Sequence, residues 1–380
     1  MIRVGLTGGI ACGKSYVRAR LAAAGFRTLD LDRVAHAVMA PGGPAYAEVV
    51  AAFGRGIVGS AGEIDRRLLG QLVFADPAAR RRLEALVHPR VREEEARWSG
   101  ASAAEGAEAA VTDAALLVET GQHLRFDRLL VVHCPEAEQV RRLRERDGLD
   151  ETAARARVAA QMPIDEKRTF GHLQVDTSGT FTATDAAVDA VAAELRLLRA
   201  APPLRPPLPR ALAALGTARG PRGLDAGRVA ADIAAAGFLD LKRLAALLDP
   251  PPPPDVPWYR AADAAAAAPA WSLAGAVAVW ACARGGDAPF VAAAAASLAR
   301  LTHRDAASLA GACLVALRLH EALLPAVADG EDLEALAARW GGGSAPPAAA
   351  RAASEAVPGR PAEDPADPAT TQALRVLGYG

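Results

Sequence analysis

The sequence predicts an α/β chain: a doubly wound, mostly parallel sheet, followed by an all-helical region. Three observations carry this. Short apolar runs alternate with helix-like segments through the first 200 residues. A Pro-rich stretch, Ala201–Pro209, then changes the texture of the chain. Beyond it, residues 210–340 are Ala/Leu-rich and helical in pattern, broken around Pro250–Pro254.

Element by element, Ile2–Thr7 is an apolar run before glycines and reads as a buried first strand. Lys14–Ala24 reads as a helix closed by Gly25. Arg27–Leu31 reads as a second strand. Residues 63–98 are charged and helical, with Leu68, Leu69, Leu72, Val73, Leu83, Leu86 and Val87 available for one face. Ala110–Asp113 and Arg128–His133 read as strands, and the Leu-Leu-Val-Val centre of the latter is the clearest of the set. Glu136–Arg146 and Glu151–Gln161 read as helices, His172–Asp176 as a last strand, and Asp185–Leu198 as a closing amphipathic helix. Ala201–Pro209 is expected to be a stiff extended linker. The tail, residues 341–380, is rich in Gly, Pro, Ala and Ser and is expected to be disordered.

The chain has 380 residues, 51% hydrophobic and 23% charged, enough to bury a core in two domains. A net charge of −1 supplies no large basic field, so nucleic acid is not the expected partner. The four cysteines, Cys12, Cys134, Cys282 and Cys313, form no CxxC pair. That fits a reducing compartment and a cytoplasmic protein, not a disulfide or zinc scaffold. No signal-peptide pattern opens the sequence. The uncharged stretch Ala264–Ala283 is long enough to span a bilayer. Its Ala content and the interruptions at Pro269, Ser272 and Gly275 favour a buried helix, and no membrane association is expected.

Gly8-Gly9-Ile10-Ala11-Cys12-Gly13-Lys14-Ser15 matches G-x-x-x-x-G-K-[ST], between a strand and a helix. Glycines let successive backbone N–H groups curl around phosphate oxygens. The helix N-terminus adds partial positive charge. Lys14 is suited to neutralise the β- and γ-phosphates, and the Ser15 hydroxyl to ligate Mg²⁺. This predicts a nucleoside triphosphate site without naming the acceptor. After the second strand comes Leu29-Asp30-Leu31-Asp32, which places Asp32 at the carboxyl edge of the sheet. Asp32 either orients an acceptor hydroxyl and takes its proton, or caps the next helix. The basic runs Arg80–Arg82 and Arg141–Arg146 are either solvated helix faces or phosphate ligands.

From this point the chain resembles the dephospho-CoA kinase family over roughly residues 1–200. The opening Gly5-Leu6-Thr7-Gly8-Gly9-Ile10 block is followed by Asp30, Asp32 and His36, then Pro41-Gly42. The resemblance continues through Asp65–Leu68, Leu72–Pro77, His88-Pro89, Ala115-Leu116-Leu117-Val118-Glu119, the Arg-rich Val140–Asp147 and Gln161. It implies a P-loop kinase fold with a helical acceptor-binding part and a lid. It also implies transfer of the ATP γ-phosphoryl to the ribose 3′-hydroxyl of dephospho-CoA. By the same resemblance, Asp32 falls on the general base, and Lys14, Arg142 and Arg146 act on the phosphates. Gly8 through Tyr16 and Gly179 fall in the ATP site. Asp32, His36, His88, Pro89 and Leu116 fall on the acceptor side. Ser15, and Asp113 through a water, would hold Mg²⁺.

Four departures stand out: Cys12 for a small residue, commonly Ser, Tyr16 for Thr, Ala115 for Pro, and Thr177-Ser178-Gly179 for Asn-Asn-Gly. A kinase for another nucleoside or nucleotide, or a nucleotide-binding scaffold without activity, are the competing readings. Residues of about 230–325, chiefly Leu301–Ala312 and Ala236–Asp240, faintly resemble an ADP-ribosylglycohydrolase fragment. They lack that family's paired acidic motifs, which implies a helical region without that chemistry. The partner of residues 210–340 is left open, and His303 and His320 read as structural.

Overall fold

A computed structural model describes residues 1–198 and, beyond them, 229, 232, 239–246, 248, 277, 281, 287–301, 312, 313, 316, 317 and 320. The linker, the tail, Cys282, His303 and most of residues 210–340 lie outside the described residues. So do most of the stretch Ala264–Ala283 and of both glycohydrolase-like segments. Among the described residues no helix is long and apolar enough to cross a membrane.

The chain divides into two compact units. One comprises Ile2–Val17 and the residues from Ala115 onward; it carries the phosphate loop. The other comprises Met1 and Arg18–Ala114. The five strands form one sheet in the order β2-β3-β1-β4-β5, where β1 is Ile2–Gly8, β2 Arg27–Asp30, β3 Ala109–Asp113, β4 Arg128–His133 and β5 Leu173–Asp176. This is the doubly wound α/β fold that the alternating pattern predicts.

In the loop-bearing unit, β4 pairs in parallel with β1 (Val4 opposite Arg128, Gly8 opposite Val132) and with β5 (Leu130 opposite Leu173). Every residue of β4 is buried, as expected for a strand covered on both faces. The start of helix α1 (Lys14–Ala23, which passes to the other unit at Arg18) and helices α6 (Glu136–Asp147), α7 (Glu151–Ala159), α8 (Ile164–Arg168) and α9 (Phe181–Leu197) complete the kinase-like part. Helix α9 starts four residues earlier than the pattern suggested, because the Thr180 side chain accepts from Ala183 N and caps it there. Two further helices, α10 (Leu241–Ala246) and α11 (Ala288–Ala299), belong to the same unit. Helix α11 is tied to it by an ion pair between Asp287 and the 8%-exposed Arg128, with Arg128 Nη1 to Asp287 Oδ1 at 3.0 Å. Arg300, just past α11, lies 4.2 Å over the Phe170 ring.

In the other unit, β2 pairs in parallel with β3 from Arg27–Ala110 to Asp30–Asp113. Helices α2 (Leu31–Val38), α3 (Tyr46–Phe53), α4 (Arg66–Ala75) and α5 (Pro77–Ala104) follow from three Asp caps and one apolar cluster. Asp30, Asp65 and Asp76 accept backbone N–H bonds at the starts of α2, α4 and α5. Val38, Val49, Ile57, Ile64, Leu69, Val87 and Val91 form the cluster beneath them. The single helical stretch expected over residues 63–98 is therefore two helices, separated at Asp76-Pro77, and the second runs six residues further. Leu68 and Leu72, expected on the buried face, are exposed at 38% and 46%, and Leu69 is the buried residue of that turn.

Candidate functional site

The phosphate loop leaves β1 through two glycines in close quarters. A Cβ on Gly8 would collide with Val132 O, and one on Gly9 would lie 2.6 Å from Gln139 Oε1. Ala11 takes φ +60 and Gly13 φ +76, so the turn runs through the left-handed region at a non-glycine position. The surroundings hold it there. Ile10 N donates to Gln161 Oε1 at 2.8 Å, and Cys12 N to Gly9 O at 3.2 Å. Lys14 and Ser15 open α1, and the Ser15 hydroxyl is on the exposed side.

Beneath the loop lies a group that the motif reading did not single out. Lys167, on α8, is fully buried. Its ammonium is 2.6 Å from Glu119 Oε1, 3.1 Å from Ala115 O and 3.5 Å from Gly8 O. Burial lowers its pKa, and Glu119 opposes that shift. Thr7 Oγ1 also donates to Ala115 O, at 2.9 Å. The backbone of Ala115, where the resemblance expects proline, thus receives two donors that fix the end of β1.

Arg142, expected at a lid and acting on the phosphates, contacts the backbone of the loop and of Thr177 and so acts as a clamp. Its guanidinium donates to Thr177 O at 2.5 Å, to Thr177 Oγ1 at 3.2 Å and to Ala11 O at 3.3 Å, and its Nε to Glu138 at 2.7 Å. Arg141 and Arg142 together hold the Glu138 carboxyl down to about 2. Thr177 Oγ1 lies 2.9 Å from Cys12 O, so the Thr that replaces Asn at this position ties β5 to the loop. Arg146 is exposed and paired with Asp147, Nε to Oδ1 at 2.7 Å. The Tyr16 OH donates to Asp185 at 2.7 Å, and its ring meets Phe181 at 5.0 Å. Gly179 keeps a negative φ, and a Cβ there would meet only Ala183, at 3.5 Å. Leu116 is 44% exposed on the turn after β3.

The other unit carries Asp32, His36, His88, Pro89 and Asp113. The capping role left open for Asp32 belongs to Asp30, whose Oδ1 accepts from Asp32 N and Arg33 N at 3.0 and 3.2 Å. Asp32 occupies the first turn of α2 with its side chain exposed, and His36 lies one turn further on the same face. His36 Nδ1 is 3.0 Å from Arg66 Nη1, at the start of α4. His88 is exposed on α5, immediately before Pro89, which lies inside that helix. Asp113 is 2% exposed, and its Oδ2 lies 3.0 Å from Arg18 Nε as an ion pair off the hydrogen-bond direction. Arg18 Nη2 reaches Asp30 Oδ2 at 3.0 Å, so one guanidinium braces the ends of both β2 and β3. Among the described residues no cluster of three or more His, Cys, Asp or Glu could hold a metal by itself.

Comparison with known proteins gives the family of the chain. A family model described as dephospho-CoA kinase matches residues 2–182. The dephospho-CoA kinase of Leifsonia xyli subsp. xyli is 44% identical over 194 residues, covering 51% of this chain and 98% of that protein. That of Anaeromyxobacter dehalogenans is 43% identical over 207 residues, covering 53% and 98% respectively. A solved structure from Thermus thermophilus is 36% identical and covers 51% of this chain and 97% of that chain, with a TM-score of 0.46.

Proposed function

This chain belongs to the dephospho-CoA kinase family, and from that premise we propose that it transfers the γ-phosphoryl of ATP to the ribose 3′-hydroxyl of dephospho-CoA, giving CoA and ADP. The observation that carries the acceptor side is Asp32. With Asp30 capping α2, the Asp32 carboxylate is exposed and accepts no hydrogen bond from a described residue. It is suited to take the proton of the attacking hydroxyl.

The loop from Gly8 to Ser15 cradles the triphosphate, with Lys14 on the β- and γ-phosphates. Tyr16 and Gly179 flank the nucleotide. Arg142 holds the loop and is near enough to share in phosphate binding. Arg146 exchanges Asp147 for phosphate when the α6–α7 segment closes. His36, His88, Pro89 and Leu116 contact the acceptor. Mg²⁺ fits the donor set, because a cation bound mainly by nucleotide oxygens and water needs little from the protein. The exposed Ser15 hydroxyl, and Asp113 through a water, would be its protein-side contacts. When bound, Mg²⁺ neutralises charge on the transferring phosphoryl group. Catalysis is then in-line transfer by positioning and electrostatics, without a phosphoenzyme. Residues 1–200 are the kinase domain of this reading, 201–209 its linker, and 210–340 an appended helical domain.

The test is ADP release from ATP-Mg²⁺ with dephospho-CoA as acceptor, comparing the native chain with Asp32→Asn. Turnover that requires dephospho-CoA, and falls roughly 100- to 10,000-fold in Asp32→Asn with ATP affinity retained, is the expected result. ATP binding without acceptor-dependent turnover in the native chain would overturn the reading.

A further inference from the structure

Cys12 and Cys134 are 122 positions apart in sequence, yet their sulfurs lie 3.6 Å apart. Cys12 sits inside the phosphate loop, and Cys134 directly follows β4. Both are buried, at 0% and 1% exposure, and one thiol donates a hydrogen bond to the other. Arg142 Nη1 approaches Cys134 Sγ at 3.8 Å. Cys313 is also buried but has no sulfur partner among the described residues; desolvation pushes its thiol up to about 12.

We propose that Cys12 and Cys134 form an oxidation site, closed to a disulfide by a small peroxide, and that this bond switches off nucleotide binding at the phosphate loop.

The two thiols are chemically unequal. The hydrogen bond with Cys134 raises Cys12, whereas the same bond, reinforced by the Arg142 charge, lowers Cys134. Cys134 is therefore the sulfur that ionises and attacks first. Its thiolate attacks one oxygen of hydrogen peroxide, the O–O bond breaks, and hydroxide leaves; Cys134 is now a sulfenic acid. The Cys12 sulfur then attacks the Cys134 sulfur and displaces that hydroxyl, which departs as water with the Cys12 proton. The hydroxide of the first step takes the proton that Cys134 lost. Two thiols and one peroxide give one disulfide and two waters, and two electrons pass from sulfur to oxygen. Peroxide is close to water in size, so brief local opening of the loop admits it.

The consequence for the loop follows from its geometry. Cys12 lies between Ala11 and Gly13, both at positive φ, and its carbonyl is held by Thr177. A Cβ placed on Gly9 would already lie 2.9 Å from Cys12 Sγ, so the sulfur is packed against the turn on that side. Covalent closure must draw Cys12 toward Cys134. The neighbouring residues, whose N–H groups line the cradle, cannot follow without leaving their narrow backbone wells. This consequence rests on the ATP-binding reading above; the formation of the bond does not.

The experiment treats the reduced full-length chain with hydrogen peroxide, maps its peptides by mass spectrometry, and measures ATP binding before treatment, after treatment and after dithiothreitol. The expected result is a cross-linked pair of peptides containing Cys12 and Cys134, two hydrogens lighter than the reduced pair. ATP binding should weaken about tenfold or more, and dithiothreitol should restore it. Cys134→Ala, or Cys134→Ser if the first folds poorly, should bind ATP like the native chain and keep doing so after peroxide. No cross-link in the native chain would overturn the proposal. So would a cross-link with ATP affinity unchanged, or an equal loss in the Cys134 variants. Reduced native chain that binds no ATP would instead sink the kinase reading, and the peptide map would still judge the bond.

Discussion

Lys14, Lys167 and Lys242 are the only three lysines in a chain with 40 arginines, and two of them serve the phosphate loop. A compact ammonium fits a buried pocket of carbonyls and one carboxylate where a planar guanidinium does not. Lys14 is recognisable from its motif. Lys167 has no motif, and its rarity in an Arg-rich chain is the signal that could have found it. Lys167→Met leaves Glu119, which is only 13% exposed, and two carbonyls without their cation. Breaking such a buried pair costs about 3–5 kcal/mol. The expected outcome is a drop of that order in chemical-denaturation stability, with weakened ATP binding in what remains folded. Lys167→Met combined with Glu119→Leu should recover part of the stability and little of the binding. Asp32 and Asp30 show the opposite case. Both carboxylates are visible in the sequence, but which one caps α2 depends on where that helix begins, and only backbone geometry decides it.

At the scale of elements, strands were the more legible. The five expected strands form within a residue or so of their expected limits, because buried parallel strands carry unbroken apolar runs. Helices α3 and α8 escaped notice, and α2 was expected after Asp32 without limits: at eight residues or fewer they show too little periodicity, and tertiary packing holds them. The boundary between α4 and α5 was hidden for another reason. Asp76 and Pro77 end one helix and start the next inside a continuous charged pattern. Such caps are testable. Asp65 Oδ1 accepts from Arg67 N and Leu68 N at 2.9 and 3.0 Å, so Asp65→Ala should cost about 1 kcal/mol. Because α4 starts with Arg66, which contacts His36, the same change should raise KM for dephospho-CoA more than KM for ATP. Steady-state kinetics with each substrate varied separately will read this; equal changes in both would detach α4 from the acceptor.

For the whole molecule, the described C-terminal residues are part of the loop-bearing unit. His123 Nε2 is 3.1 Å from Ser297 Oγ, Arg128 pairs with Asp287, and Arg300 covers Phe170 and meets Thr169 Oγ1 at 3.1 Å. A chain ending at Arg199 would expose these groups. It should lose about 2 kcal/mol, roughly 4–8 °C in Tm, while retaining dephospho-CoA-dependent turnover at low temperature. A thermal melt with unchanged Tm would show that these contacts add nothing. The same interface predicts a pH dependence. Burial, with His172 and Arg300 adding repulsion, lowers His123 to about 3, so it is neutral in the folded chain at pH 5, whereas its unfolded value is near 6.5. Below about 6.5 the unfolded chain binds a proton that the folded chain refuses, and stability falls as the pH drops toward 3. The slope approaches about 1.4 kcal/mol per pH unit. Denaturation of the native chain and His123→Gln at pH 7 and pH 5 should show a smaller loss in the variant.

The kinase-like half is legible along the chain: the strand–loop–helix at residues 2–23, the alternation that dictates a parallel sheet, and the ordered blocks out to about residue 198. These are local or motif-encoded, because backbone cradling of phosphate needs particular residues at particular spacings. Tertiary structure alone decided which aspartate caps and which is exposed, that Arg142 and Lys167 reach the loop at Ala11 and Gly8, and that two cysteines 122 positions apart touch. Those are long-range pairings set by strand order and packing, and neither propensity nor spacing along the chain records them.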